Sequence, residues 1–453
     1  MQAASGTGFL GGMLSGLLDR DCEDARARRG ALFAFSIRVV SAGLAFGSQI
    51  LLARWMGIHE FGIITYCIVL MSVLSVLTSF GLPWASVRFL SEYGARGEWD
   101  KFRGFLTSAR IAAVWAGTVC CVVAISVITL LGGRISDELA APLILVLACL
   151  PLQSLNEMQE GAGKSQGWIG LALVPAFVFR PLIMIALLGV AKLAGLETNA
   201  ITAALALLAS LFIITAGQYV LQIRRFRENV PAGPRAYEPR TWVNVALALF
   251  LLEGFSMLLL HSDVLVLKLF VPADQISLYY AAVRTISLTS FVYFAIASAF
   301  GPRFSASFAT NDRTGLLDLY RKACVLTFWP SVITAAGVLA LGKPLLWLFG
   351  PDFVAGYPLL FVIGVGLLVR AAIGPMQVLL SMCGCQKQCA VILLVVLVFN
   401  VGLNALLIPL YGLMGTAIAT MASMMLESGL LAWVARRRFD FPVLALLPAR
   451  AAD

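Results

Sequence analysis

The chain has 453 residues, 60% of them apolar and only 13% charged, with a mean hydropathy of +0.91. This mix excludes a soluble enzyme and a disordered chain, and its continuous apolar runs exclude an outer-membrane barrel, whose segments alternate. A polytopic helical membrane protein remains, so the net charge of +9 bears first on topology and not on nucleic acid.

In chain order, residues 1–30 are expected to form a cytoplasmic segment. Phe9, Leu10, Met13, Leu14, Leu17 and Leu18 recur at helical spacing, and no small-residue cleavage site follows. An amphipathic helix on the membrane surface and a loose tail both fit. Apolar runs long enough to cross a bilayer follow at 31–53, 62–84, 107–131, 139–160, 168–191 and 199–222. After a basic, proline-containing stretch at 223–242 come six more, at 243–267, 275–300, 323–348, 357–381, 388–409 and 412–434. The expected architecture is all-α, with about twelve transmembrane helices in two six-helix lobes. Residues 31–222 form the N-lobe, 223–242 a cytoplasmic linker, 243–435 the C-lobe and 436–453 a cytoplasmic tail. With both termini inside, 24 basic residues fall on the inner side, five in outer turns and four within spans, which accounts for all 33. Such asymmetry predicts that orientation. The inner loops around 85–106, 223–242 and 301–322 are too short for a catalytic domain.

A shift of 214 positions lays Arg54, Glu60 and Tyr66 on Lys268, Asp274 and Tyr280, and Phe80-Gly81-Leu82-Pro83 echoes Phe300-Gly301-Pro302. Both matches fall where a duplication of six spans would put them, and duplicated lobes are typical of alternating-access transporters. Prolines inside spans, at 151, 175, 181, 330 and 375, are expected to kink helices.

The stretch Asn400 to Ala417, containing Asn404, Pro409, Tyr411, Gly412 and Gly415, resembles a motif of polysaccharide flippases of the MOP exporter superfamily, the Wzx-like branch. Residues 52–62, 279–284 and 348–353 agree with that family's outer turns and eighth span, so the resemblance covers about 31–435. It implies a flippase in the bacterial inner membrane that moves polyprenyl-diphosphate-linked oligosaccharide outward for exopolysaccharide, O-antigen or capsule synthesis. The implied partners are undecaprenyl-diphosphate-linked oligosaccharide, membrane lipids, and polysaccharide polymerase and chain-length proteins. Rivals are a MATE-type cation-coupled drug antiporter, which would favour an acidic cavity, and a non-transporting scaffold for glycan-assembly enzymes.

A charge near the bilayer centre costs about 2.5–3.5 kcal/mol on insertion scales, so it faces a cavity or a partner. Arg38, Arg180, Arg284 and Arg370 carry that cost and are the candidate diphosphate ligands, because a guanidinium matches phosphate oxygens in pairs. The alternative for Arg284 is a structural ion pair with Asp263, and for Arg38 snorkelling to the headgroups. Arg180, beside Pro181, has a local backbone role as its alternative, whereas Arg370 has no obvious partner on a neighbouring span. Asp263, Glu253 and Glu427 are candidate ion-coupling groups or charge partners. Cys383, Cys385 and Cys389 match no common zinc spacing, and no nucleotide-binding loop or catalytic constellation is read, so neither cofactor, metal nor enzyme activity is expected.

Overall fold

A computed structural model describes residues 23–130, 136–310 and 312–439, with side chains from Val40 onward except Asp137 and Leu252. Most of the expected amphipathic segment, the last fourteen residues of the tail and the side chain of Arg38 lie outside the described residues.

Every element among the described residues is helical. The first helical run, Glu23–Ser79, is interrupted at Gly57, whose φ of 79° lies in the left-handed region. That break divides it into α1 (23–56) and α2 (58–79). The chain continues as α3 (Leu82–Arg96), α4 (Trp99–Leu130), α5 (Asp137–Leu147), α6 (Leu150–Ser165), α7 (Ile169–Val174), α8 (Arg180–Leu193) and α9 (Ala200–Asn229). The second half holds α10 (Pro239–Leu267), α11 (Ala273–Ile286), α12 (Ser290–Ala309), α13 (Arg313–Ala340), α14 (Gly342–Phe349), α15 (Tyr357–Ala372), α16 (Met376–Met382), α17 (Gln386–Tyr411) and α18 (Leu413–Phe439). Eleven helical stretches among the described residues are long and apolar enough to cross a membrane. The first of them contains the Gly57 break, so among the described residues the helices amount to twelve candidate crossings, six in each lobe.

The expected loops at 85–106 and 301–322 are instead mostly helix, since α3, α4, α12 and α13 run through them. The non-helical link between the lobes is short, because α9 extends to Asn229 and α10 begins at Pro239. Several crossings are broken. Pro151 opens α6, Gly374 and Pro375 separate α15 from α16, and one π turn, Pro175–Phe179, joins α7 to α8. Pro330 lies inside α13, which is continuous through it. The echoed motifs also part company. The chain breaks at Phe80 and Gly81, both at positive φ, whereas α12 continues through Phe300, Gly301 and Pro302. The break at Gly81 has a packing cause, since a Cβ there would meet the Ala246 carbonyl of α10 at 2.3 Å.

The start of α1 and the end of α18 share one end of the bundle, here the terminal end; the turn at 54–61 lies at the other, the distal end. The lobes meet tightly at the distal end. A Cβ on Gly62 of α2 would stand 2.1 Å from the Ala273 carbonyl at the start of α11. Phe61 packs edge-on against Tyr280 and Phe353, and Phe46 against Phe349. Arg54 donates to the Leu348 and Trp347 carbonyls at 2.6 and 3.0 Å, capping α14, and its guanidinium lies 4.6 Å over the Trp347 ring. At the terminal end α10 leans on the N-lobe, where Trp242 donates to the Tyr93 hydroxyl at 3.0 Å and Phe80 stacks on Phe250.

His59 crosses the distal seam. Its Nδ1 lies 2.7 Å from Asp274 of α11 and its Nε2 3.3 Å from Glu138 of α5. The hydrogen bond to Asp274 raises its pKa above the ordinary 6.5, burial opposes this, and Glu138 adds to the rise. A raised value means that the protonated form holds the seam: its contribution is complete below pH 6.5 and fades as pH climbs through the raised value. The apparent melting temperature of the purified protein in detergent is therefore expected to fall from about pH 6 to about pH 8, and His59→Gln to flatten that segment of the profile. A native-like slope in the variant would refute the assignment.

Candidate functional site

Polar side chains inside the bundle fall into three groups. The first lies in the N-lobe. The π turn before α8 widens the helix at Arg180, a deviation that recurs at functional sites. Arg180 donates to Gln153 Oε1 at 3.1 Å, and Gln153 passes its own amide hydrogen to Glu157 at 2.8 Å. Ser75 of α2 also donates to Glu157, at 2.9 Å. Arg180 thus has a neutral direct partner, not a local backbone role, with the carboxylate one step removed.

This group borders a cavity of about 220 Å³. Ser41, Ser48 and Gln49 of α1, Thr65 of α2, Gln153 of α6 and Arg180 supply polar walls, and Tyr280 of α11 closes it from the other lobe. Arg180 is the one charged residue among those lining it. Tyr280 is fixed by Gln49, which donates to its hydroxyl at 3.1 Å, and by Arg284, which donates at 2.7 Å and lies 4.8 Å over the ring. Arg284 therefore stands behind the cavity wall.

The second group corrects the expected Asp263–Arg284 pair. Asp263 is only 7% exposed, and its partners are neutral. Oδ1 accepts from Asn400 and Asn404 at 3.1 and 2.9 Å; Oδ2 accepts from Tyr279 and Thr420 at 2.7 and 2.8 Å. Ser262 donates to Asn400 Oδ1 at 2.8 Å, which turns the Asn400 amide hydrogens toward the carboxylate. Asn400 and Asn404 are one turn apart on α17, so both face α10. Four helices, α10, α11, α17 and α18, are tied to one carboxylate. The Asn404 Oδ1 and, one turn before Thr420 on α18, the Thr416 Oγ1 are buried with no hydrogen-bond partner among the described residues.

The third group corrects the expectation for Arg370. Glu427 of α18, 4% exposed, lies 3.7 Å from its guanidinium, which also sits 5.3 Å over the Tyr293 ring. Arg370 and Tyr293 line a smaller pocket of about 60 Å³ with Thr289, Ser290 and Ser331. The fold thus brings Arg180 and the Tyr280–Arg284 pair to one cavity and places Arg370 in another. Glu253 of α10 reaches the Trp84 indole of α3, joining the lobes nearer the terminal end. Sequence reasoning missed Gln153, Tyr293 and Thr420; their polarity within apolar runs was the available signal.

The Asp263 assembly makes a measurable demand. A hydrogen bond to a charged acceptor contributes about 1.5–3 kcal/mol, so Asn404→Ala is expected to lower unfolding stability by that order. Asp263→Ala removes the shared charged acceptor of four buried donors at once and is expected to cost more. Thermal unfolding of the detergent-purified variants decides it, and native-like stability in both would remove Asp263 as the tie of the C-lobe.

No curated protein matches the chain. Among solved structures, a multidrug resistance MATE family transporter of the MOP superfamily in its inward-facing conformation is similar at a TM-score of 0.76 and 14% identity, over 90% of this chain and 98% of that one. The outward-facing conformation of such a transporter gives 0.66 at 16% identity, over 91% and 95%. A MOP superfamily transporter from Pyrococcus furiosus Vc1 gives 0.65 at 15% identity, over 91% and 94%. These likenesses show that the chain shares the fold of those structures. Residues 27–308 match the family described as polysaccharide biosynthesis protein, more than half of the chain, so the chain belongs to the polysaccharide biosynthesis protein family and is a multi-pass membrane protein.

Proposed function

We propose that the protein is a flippase that carries polyprenyl-diphosphate-linked oligosaccharide from the cytoplasmic to the outer leaflet of the bacterial inner membrane, with both termini in the cytoplasm. The observation that carries this reading is the N-lobe cavity that Tyr280 closes from the other lobe, whose one charged lining residue is Arg180 and whose remaining polar lining is hydroxyls and amides set among apolar side chains. A guanidinium whose direct partner is a neutral glutamine can exchange that bond for a stronger one to a phosphate oxygen. The serines, threonine and amides suit sugar hydroxyls, while the prenyl tail stays in lipid. The same charge argues against a MATE-type carrier of cationic drugs. One of the similar structures is described as having a binding pocket of reverse polarity that suggests a different function for that transporter.

Arg284 contributes by holding Tyr280, Arg370 has a minor part because Glu427 pairs with it, and Arg38 is kept as a ligand from its sequence position on α1 alone. The transport step needs no enzyme chemistry. Outward movement of the negative diphosphate is favoured by the membrane potential, at about 2.3 kcal/mol per charge per 100 mV. Asp263 is the assigned seat of a coupling cation, because its partners are neutral and the Oδ1 of Asn404, one of those partners, is buried with no hydrogen-bond partner. Glu427 is held by Arg370 and acts as its charge partner, and Glu253 as a contact between lobes.

The test is movement of a labelled prenyl-diphosphate oligosaccharide across vesicles containing the purified protein. Arg180→Gln is expected to slow it by about 10- to 100-fold, the loss of one charge-assisted contact, and Arg370→Gln to have a smaller effect because Glu427 already neutralises that arginine. Movement at the native rate in a folded Arg180→Gln protein would sink the cationic-cavity reading.

A further inference from the structure

A second cationic site lies on the outside of the N-lobe, away from the cavity that Arg180 lines. At the terminal ends of α4 and α9 a groove of about 290 Å³ is lined by Phe102, Leu106, Ile223, Phe226 and the arginines 103, 110 and 227. The neighbouring surface is apolar: Ile111, Val114 and Trp115 of α4 and Val220 and Leu221 of α9 are all exposed, the pattern of a lipid-facing wall. Pro231 and Ala232, from the link between the lobes, close the groove toward the aqueous side.

The three arginines are not equivalent. Arg103 is satisfied: it pairs with Asp100 and donates to the Pro231 carbonyl and, at 2.9 Å, to that of Pro234. It clamps the link in place. Arg110 is not satisfied. Its guanidinium lies between the rings of Tyr219 and Phe226, at 5.0 and 5.6 Å; its one hydrogen bond, to Gln222 Oε1, is long at 3.4 Å; and its buried Nε has no partner. Arg227 makes no ion pair or hydrogen bond among the described residues. No carboxylate lines the groove. Arg110 sits three residues inside the apolar run that begins at 107, and Arg227 five beyond the one that ends at 222. The two charges therefore bracket the boundary between hydrocarbon and headgroups.

A half-buried guanidinium at that depth needs an anion, and the protein supplies none. We propose that this groove is a binding site for an anionic membrane phospholipid, with the phosphate between Arg110 and Arg227 and an acyl chain along the exposed face of α4. Basic pockets between helices at the cytoplasmic face are suited to such headgroups. The bound lipid would also touch the link between the lobes, through Pro231 and Ala232.

The test uses the full chain in phosphatidylcholine vesicles containing spin-labelled phosphatidylglycerol or spin-labelled phosphatidylcholine, reading the motionally restricted fraction. The native chain is expected to prefer the anionic lipid; Arg227→Gln is expected to weaken that preference by about fivefold, and Arg110→Gln with Arg227→Gln to abolish it. Arg224→Gln, an exposed arginine of α9 outside the groove, should leave it unchanged. Equal preference in the native and Arg227→Gln proteins would overturn the proposal. An equal loss in Arg224→Gln would do the same, by pointing to diffuse surface charge, and displacement of the lipid by millimolar inorganic phosphate would mark a free-anion site instead. Transport of the prenyl-linked sugar is read separately, so failure of this site leaves the cavity reading untouched.

Discussion

Moving a charge from water into an apolar medium costs several kcal/mol even after the protein relaxes around it, and this cost places the polar side chains of the bundle. Asp263 meets it with four neutral donors, Arg370 with Glu427 and the Tyr293 ring, and Arg180 with Gln153. The solutions differ in what they leave available. An ion pair neutralises both members, so Arg370 and Glu427 have little residual pull on a ligand. A charge surrounded by neutral dipoles keeps its field, so Asp263 and Arg180 remain able to attract an ion of opposite sign. The two lobes are thereby differentiated, the N-lobe presenting a cation to its cavity and the C-lobe burying an anion in its helix junction.

Backbone irregularity follows the same accounting. Within hydrocarbon a free carbonyl or amide is costly, so helices break only where protein or a cavity covers the break. The π turn before Arg180 lies beside the cavity, the Gly81 turn is covered by α10, and the Gly374–Pro375 break packs against Cys324. The uninterrupted passage of α13 through Pro330 shows that proline alone does not decide the matter.

Spans and their number were legible in the sequence because apolar length is a one-dimensional property. Gly57 marks the sharp first turn, and the acid-bearing segments around Glu60 and Asp274 both fall at the distal end, as the repeat implied. Their uses differ, however: Glu60 accepts from the first amide of α9 at 2.6 Å, whereas Asp274 pairs with His59. The same gap between position and contact explains the Asp263–Arg284 expectation. Equal distance from a turn sets equal depth but not direction around a helix axis, and Asp263 faces α17 while Arg284 faces Tyr280. Arg370 and Glu427 lie on crossings two apart in sequence, which a neighbour-by-neighbour reading does not pair. The motif around Asn400 and Asn404 was visible as a resemblance; its physical content, two amides one turn apart facing one acid, needed the fold.

The closure of the distal end gives these placements a direction. Gly62 lets α2 touch the backbone of α11, and the Phe61, Phe349 and Phe353 rings fill the seam, so separating the lobes there must expose an aromatic cluster and release His59 from Asp274. Tyr280 stands where the seam meets the cavity: one face packs on Phe61, and its hydroxyl is held by Gln49 of one lobe and Arg284 of the other. Asp263 is reached from the next residue, because Tyr279 donates to it directly. Consecutive residues of α11 thus connect the cavity wall to the buried carboxylate. Under the proposed cycle, a change in the charge at Asp263 would bear on the tyrosine that closes the cavity without any long chain of intermediates, because one helix carries both contacts as a rigid body.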